Sequence, residues 1–299
     1  MYAPLSITLS TKGRPLRLHL ISTGTVAVKR RYREARSRGL GALLDFVWDS
    51  RFTEWLPIWV LVIEHPEGIF LIDTGEISSV TKPDYFRSSG MIPSWFDRTQ
   101  FHFRVSREDE IDAQLESLGI PPRQIKTIVL THLHFDHTDG LRHFPGTRVL
   151  VNRLEWEKPF GTLKRLWPQG FQPVPVLLDC PYEMFERTYA LTGAEDLLLI
   201  HTPGHTYGHA SVLIKTDAGP VLFAGDVCYS QEQLLNGKFT GANASFRAAH
   251  DTYERIKAFA RHQGLIFLPS HDPESAERLR NWEPLYSLPS EGLEGMVEE

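Results

Sequence analysis

The chain has 299 residues, of which 41% are hydrophobic and 23% charged; this composition is typical of a globular protein with room for a large core. A formal charge of −5 and a pI near 6.2 give no electrostatic reason to expect a nucleic-acid partner. No apolar run approaches the roughly 20 residues of a membrane span, and the N-terminus lacks a signal-peptide pattern. The only cysteines, Cys180 and Cys228, suggest no disulfide framework. We therefore expect a cytoplasmic protein without nucleic-acid or membrane partners.

Residues 1–57 combine a predicted first strand, residues 16–21, with a basic segment and an aromatic cluster. The basic segment contains Lys29, Arg30, Arg31, Arg33, Arg36 and Arg38. We expect this segment to form a solvated face. Alternatively, it contacts an anionic partner or a second subunit in a homodimer. The aromatic cluster is either core or the apolar wall of a substrate pocket, and it consists of Phe46, Trp48, Phe52 and Trp55.

The next stretch predicts a β-hairpin and then a helix. Residues 59–64 and 69–72 are apolar runs that flank a turn at residues 66–68. Asp73 follows the second run directly and would be costly to bury without a partner. Ser106 predicts a helix start, with Ile111 and Leu115 on the buried face. Because a strand at residues 127–130 follows, strand and helix alternate, and we expect an α/β fold.

That strand is followed by a motif with three histidines and one aspartate as candidate metal ligands, His132-Leu133-His134-Phe135-Asp136-His137. If the strand continues, its period of two points His132 and His134 to the same side. Asp136 and His137 lie on the following turn and can fold back toward them. Imidazole and carboxylate groups at this spacing favour zinc or another divalent ion over a merely histidine-rich loop.

The second half of the chain places further donors after predicted strands. Strand 196–200 precedes His205, a hairpin over residues 211–224 precedes Asp226, and strand 265–268 precedes His271. A helix is predicted from Ser245 to His262. Residues 153–181 show no regular period, and they either cover the site or form a packed connection.

This inventory of donors fits two ions better than one. His132, His134 and His205 form one set, Asp136, His137 and His271 a second, and the carboxylate of Asp226 could bridge them. Two ions that share a water lower its pKa, so that hydroxide is available as a nucleophile near neutral pH.

Taken together, these motifs resemble the metallo-β-lactamase superfamily from about residue 58 to residue 272. The matching residues include Ile72-Asp73-Thr74-Gly75, the His132–His137 motif, His205 within Thr-Pro-Gly-His, Asp226 and His271. The resemblance implies an αββα sandwich with two metal ions at one edge. We expect one domain over residues 1–299, with its core at about 58–272.

Within that superfamily the chain is most similar to the N-acyl-homoserine lactonases, the quorum-quenching enzymes, because Tyr229 follows the bridging Asp226 by three residues. The resemblance implies that a metal-bridging hydroxide attacks the lactone carbonyl. Tyr229 would then hold the oxyanion and Asp136 would pass a proton to the leaving oxygen. A tyrosine without a chemical role is the alternative. One departure is Asp139, where many of these lactonases carry a small residue.

Chemistry and resemblance together indicate which residues form hydrogen bonds to the metal ligands. They also indicate which histidines are not metal ligands. Asp73 is the first candidate to accept a hydrogen bond from a metal-bound imidazole, and His209 is a second. His201 is not expected to be a ligand, and Cys228 reads as a small buried residue. The remaining histidines are expected to be structural or exposed: His19, His65, His102, His143, His250 and His262.

Alternative functions keep the same metal site. A phosphoesterase or phosphotriesterase, or a thioesterase acting on hydroxyacyl-glutathione, would use the same hydroxide. A di-iron redox protein is disfavoured because no ligand histidine is replaced by a carboxylate, and a non-catalytic metal-binding module is disfavoured because all seven ligands are present. Zinc is the expected metal, with manganese, iron and cobalt as alternatives.

Overall fold

The computed structural model describes residues 2–37, 41, 45, 49–86 and 99–286. Its strands are β1 Leu5–Thr11, β2 Arg14–Val28, β3 Leu56–His65, β4 Gly68–Ile72, β5 Phe101–Arg104, β6 Ile125–Leu130, β7 Arg148–Asn152, β8 Val174–Val176, β9 Cys180–Tyr182, β10 Phe185–Ala190, β11 Leu197–His201, β12 Ala210–Thr216, β13 Gly219–Gly225 and β14 Ile266–Pro269. Its α-helices are α1 Arg30–Arg33, α2 Ile111–Ser117, α3 Phe135–Thr138, α4 Arg153–Glu157, α5 Gln231–Asn236, α6 Phe246–Gln263 and α7 Ser275–Asn281.

The described strands form two mixed sheets. The first runs in the order β1-β2-β3-β4-β6-β7-β8, with β5 paired to β2, and the second runs β14-β13-β12-β11-β10-β9. Neighbours in the first sheet are parallel from β4 to β8, and β13 is parallel to β14 in the second. Several strands of each sheet therefore end at a common edge.

Side chains along each strand alternately face the core between the two sheets and the outer layer of helices. In β3, Trp59 and Leu61 belong to the core between the two sheets, whereas Val60 and Val62 face the outer layer that contains Ile111 of α2. The second sheet behaves in the same way. Leu197 and Leu199 of β11 face the first sheet, while Leu198 and Ile200 pack with Tyr253, Ile256 and Phe259 of α6. Because successive strand residues point to opposite faces, this pattern produces the αββα sandwich, which confirms the expected fold class.

Two predicted elements differ from the observed ones. The strand predicted at residues 16–21 is part of the longer β2, and β1 precedes it, paired through a turn at Lys12 and Gly13, both with positive φ. The helix predicted after Ser106 is interrupted. Residues 107–109 form a 3-10 turn with a Ser106–Asp109 capping box, and α2 begins after Glu110, whose ψ of 145° is extended. The predicted helix after Ser245 is confirmed, with the Ser245 hydroxyl capping it.

The segment at residues 153–181 both covers the site and packs as a connection. The carbonyl of Phe160 lies 3.0 Å from His134 Nε2, while Trp156 and Trp167 stack at 5.5 Å between ring centroids.

Of the N-terminal aromatic cluster, Phe46 and Trp48 lie outside the described residues, as does Arg38 of the basic segment. Phe52 stacks on His102 at the surface, and the Arg104 guanidinium covers Trp55. Among the described residues, no helix is long and apolar enough to cross a membrane.

Candidate metal centre

All seven predicted ligand residues come together at the ends of strands. The motif residues follow β6, which lies beside β4 and the Asp73 turn in the first sheet. His205, Asp226 and His271 follow β11, β13 and β14 of the second sheet. The two sheets thus deliver donors from opposite sides to one buried point.

Three imidazoles form a nitrogen-rich set. His134 Nδ1 lies 3.0 Å from His132 Nε2 and 2.9 Å from His205 Nε2. Donor atoms of the three residues all lie within 4.8 Å of one another. Such convergence suits an ion that accepts nitrogen ligands.

A second set combines one carboxylate with two imidazoles. Asp136 Oδ2 lies 3.4 Å from His271 Nε2 and 3.8 Å from His137 Nε2. Asp226 lies between the two sets: its Oδ1 is 3.3 Å from His137 Nε2, and its Oδ2 is 3.5 Å from His205 Nε2 and 3.4 Å from His271 Nε2. The Asp226 carboxylate is therefore within reach of donors from both sets.

Buried polar atoms without hydrogen-bond partners indicate whether this cluster is suited to bind metal cations. His137 Nε2, His271 Nε2 and Asp226 Oδ1 are buried and make no hydrogen bond. Buried polar atoms without partners are costly and rare in folded proteins. His137 Nε2 lies 3.3 Å from Asp226 Oδ1, and His271 Nε2 lies 3.4 Å from Asp226 Oδ2. Divalent cations among these donors would satisfy the unpartnered atoms, and the donors are those that zinc accepts.

Burial and charge set the protonation of the two sets differently. Burial lowers the pKa values of His132, His134 and His205, which keeps these imidazoles neutral, the form that binds metal. Burial also opposes charge on His137 and His271, but the neighbouring carboxylates together, Asp226 foremost, outweigh it and raise both pKa values, that of His271 to about 10. The second set therefore favours positive charge at its centre.

Asp73 occupies the position expected of an outer partner. Its Oδ2 lies 2.8 Å from His137 Nδ1, and it also accepts hydrogen bonds from the backbone N–H and the hydroxyl of Thr131. These bonds account for a carboxylate with no solvent exposure. They orient His137 so that Nε2 points at Asp226.

His209 orients Asp226 through the backbone. Its Nε2 accepts the N–H of Asp226 at 3.0 Å, so the ring hydrogen lies on Nδ1 and faces the Thr202 carbonyl at 3.1 Å. Backbone carbonyls serve two other imidazoles in the same way. Pro57 O lies 2.8 Å from His271 Nδ1, and Phe160 O lies near His134.

Glu155 is a site residue that the sequence did not reveal. It is completely buried on α4 and accepts hydrogen bonds from the N–H of Leu133, the Thr206 hydroxyl and the N–H of Gly208. Burial raises its pKa to about 7. The carboxylate joins the His132–His134 loop to the loop that carries His205. The only sequence signal for Glu155 is its position shortly after β7. Nothing in the neighbouring sequence indicates that its carboxylate is buried.

Tyr229 lies beside the second set. Its ring meets that of His271 edge-on, with centroids 4.8 Å apart, and its backbone N–H donates to Gln233 Oε1. Burial raises its pKa well above the usual value, so the phenol stays protonated. A neutral hydroxyl at this point can donate a hydrogen bond to a bound substrate.

The other histidines lie apart from this cluster. His201 contacts the Tyr207 carbonyl, His65 pairs with Asp196, and His143 lies against Glu110. The rest are at or near the surface or paired locally: His19, His102, His250 and His262. Cys228 is completely buried.

Asp139, the residue that departs from the lactonase pattern, has a partner in the fold. Its carboxyl lies near that of Glu76, and both side chains are completely buried. Burial raises both pKa values, that of Asp139 to about 7. Asp139 therefore belongs to the wall behind the site, beside Glu76, and adds no ligand to the cluster.

Comparison with known proteins agrees with this geometry. Residues 53–271 match the model of the metallo-beta-lactamase superfamily. An N-acyl homoserine lactonase from a Bacillus species is 31% identical over 221 residues, which cover 73% of this chain and 82% of the relative. The N-acyl homoserine lactonase AttM of Azorhizobium caulinodans is 28% identical over 230 residues, 74% of this chain and 83% of the relative.

Solved structures share the fold at lower identity. An N-acyl homoserine lactone hydrolase with the product N-hexanoyl-L-homoserine at its catalytic metal centre superimposes with a TM-score of 0.70 at 23% identity, over 91% of this chain and 96% of that one. AidC, a dizinc quorum-quenching lactonase, gives a TM-score of 0.60 at 16% identity over 90% of each chain. The match over residues 53–271 and the relative above 30% identity establish the family: the chain belongs to the metallo-beta-lactamase superfamily.

Proposed function

We propose that this protein is a dinuclear metal-dependent hydrolase that opens the lactone ring of N-acyl homoserine lactones. The observation that carries the proposal is the convergence of two ligand sets on Asp226, with the Tyr229 phenol beside them. The lactonase relatives support the choice of substrate.

In this proposal one ion would be held by His132, His134 and His205 and the other by Asp136, His137 and His271, with Asp226 in reach of both sets. When bound, such ions would supply Lewis acidity and lower the pKa of bound water. Zinc suits a set of imidazole and carboxylate donors, and AidC is a dizinc protein. Manganese, iron and cobalt remain alternatives that elemental analysis would identify.

The protein's own residues then serve the ring opening. As water adds to the carbonyl carbon, Tyr229 donates a hydrogen bond to the oxygen that becomes negative. Asp136 is the more solvent-accessible carboxylate of the pair, 17% exposed against 3% for Asp226. We assign it to carry the proton to the ring oxygen as the carbon–oxygen bond breaks. Asp73 and His209 act from outside by orienting His137 and Asp226.

Acid release from a series of N-acyl homoserine lactones tests this function. Metal-loaded protein should open them, and Tyr229→Phe should lower kcat about a hundredfold, as loss of one oxyanion donor does. Absence of ring opening, with two metal ions bound per chain, would contradict the lactonase proposal.

Phosphotriesters, phosphoesters and hydroxyacyl-glutathione thioesters are the comparison substrates, because the same donor set could serve them. A higher kcat/KM on one of these than on any lactone would reassign the substrate and leave the metal site unchanged.

Three further points are part of the proposal. We assign residues 1–299 to a single domain, since β1 and β2 belong to the first sheet. We place the protein in the cytoplasm, because Cys180 and Cys228 are unpaired. A homodimer, with residues 29–57 as a candidate contact, is an assembly that light scattering would test.

A further inference from the structure

The basic N-terminal segment brings a second phenol to the site. Tyr32 is the buried residue of α1, only 9% exposed among arginines. Its ring lies 6.3 Å from the ring of Tyr229, tilted by 32°, and both rings belong to one buried cluster. Tyr32 also contributes to raising the pKa of the Tyr229 phenol. The pattern of charges in residues 29–38 gave no sign of such a contact.

Several contacts hold Tyr32 in place. Its ring meets Phe101 edge-on at 4.9 Å between centroids, and its carbonyl accepts the N–H of Gly241 at 2.7 Å. Gln233 links the neighbouring backbones, because its amide donates to the Arg33 carbonyl while its Oε1 accepts the N–H of Tyr229, both at 2.7 Å. The two phenols are therefore fixed relative to each other by side-chain and backbone contacts.

We propose that Tyr32 is a positioning residue that orients the hydroxyl of Tyr229 toward the substrate carbonyl. This inference rests on the proposed function of Tyr229. It assigns a role to Tyr32 that neither the family match, which begins at residue 53, nor the lactonase motifs supply.

The chemistry follows from what two phenols can do together. Each hydroxyl can donate one hydrogen bond and accept others. When the Tyr229 hydrogen turns to the substrate oxygen, Tyr32 can donate to the Tyr229 oxygen, and a chain of two such bonds polarises the terminal donor. The effect belongs to the transition state, because negative charge on the carbonyl oxygen develops there. Tyr32 should therefore act on kcat more than on KM.

A double-mutant cycle tests the coupling with metal-loaded enzyme and a lactone substrate. Tyr32→Phe should lower kcat about fivefold to tenfold, as expected for one lost hydrogen bond, with KM changed less than about twofold. In a Tyr229→Phe background the same change should have almost no further effect. Tyr2→Phe is the matched control, since the Tyr2 hydroxyl contacts the Trp55 carbonyl instead, and its kcat should equal that of wild type.

A second measurement needs no substrate. The buried phenolic hydrogen of Tyr229 should give a proton resonance that is missing in Tyr229→Phe, and Tyr32→Phe should shift it while Tyr2→Phe does not. An unmoved resonance, or kcat effects that add in the double variant, would overturn the role of Tyr32. Wild-type enzyme that opens no lactone would instead overturn the proposed function, and the resonance would still decide whether the phenols are paired.

Discussion

Nδ1 of His137 lies 2.8 Å from Oδ2 of Asp73, and both side chains are almost fully buried. The same carboxylate accepts two hydrogen bonds from Thr131, so it joins the end of β4 to the exit of β6. One acid therefore fixes both the direction of an imidazole and the distance between two strand ends. Outer contacts of this kind usually govern metal affinity.

Asp73→Asn should weaken metal binding. The amide keeps the size of the side chain but removes the charge that favours the His137 imidazole as a donor, so we expect affinity to fall about 10- to 100-fold. Competition with a chromogenic chelator measures it. Asp217→Asn, which removes an exposed carboxylate that accepts two backbone N–H groups, should leave the affinity unchanged. Equal affinity in both variants would contradict the role of Asp73.

Gly208→Ala should destabilise the fold. A Cβ atom at Gly208 would lie 2.0 Å from the backbone nitrogen of Glu155, and neither backbone can move without separating the two loops that Glu155 joins. We expect the free energy of unfolding to fall by about 3 kcal/mol. Gly193→Ala is the control, because its Cβ would meet nothing closer than 3.6 Å. Urea denaturation of both variants checks this, and similar midpoints would show that the approach is looser than described.

Asp196 should make stability depend on acid pH. Burial alone would raise its pKa, but hydrogen bonds from Thr192 and His65 lower it to about 2. A carboxyl whose pKa falls on folding stabilises the protein above its unfolded pKa of about 4, and that contribution disappears as pH falls through about 2. Asp196→Asn should thus lower the free energy of unfolding by about 2 kcal/mol at pH 7. The gap between variant and wild type should close between about pH 4 and pH 2; a constant gap would mean that the carboxylate charge contributes nothing.

Removing bound metal should lower the melting temperature. Ions that bind only the folded chain stabilise it by about 4 kcal/mol when their free concentration is a thousandfold above Kd. Differential scanning calorimetry of chelator-treated protein, before and after adding zinc, measures this effect. His132→Ala combined with His271→Ala removes one donor from each set and should make the melting temperature much less sensitive to zinc. If chelation leaves the wild-type transition in place while elemental analysis finds no metal, the ions do not contribute to stability.

The elements that carry the ligands were predictable because their signals are local. The apolar runs at residues 127–130 and 265–268 form short buried strands. A polar donor directly after such a strand lies at the edge of the sheet. The condition for the period of two was wrong, because β6 ends at Leu130; His132 and His134 converge in the loop that follows the strand. By contrast, the α2 helix is shorter than its pattern suggested, because Ser106 and Asp109 close a separate turn before it.

Glu155 and Tyr32 could not be found in the same way. Glu155 lies in a segment without periodicity, and its three donors are 22 to 53 residues away along the chain. Tyr32 lies among arginines in a segment that reads as a solvated face, although Gly241 and Gln233 come from distant parts of the chain to hold it and its neighbours. No local pattern encodes contacts of this kind.

The sequence alone predicted the candidate donors, the strands that precede them and the superfamily they resemble, because apolar runs and the polar residues that follow them are local features of the chain. Tertiary structure alone decided that Asp226 lies between the two sets, that Glu155 joins their loops and that Tyr32 meets Tyr229. The physical reason is that distances between loops from different sheets are set by how the sheets and helices pack, and packing depends on side chains throughout the chain.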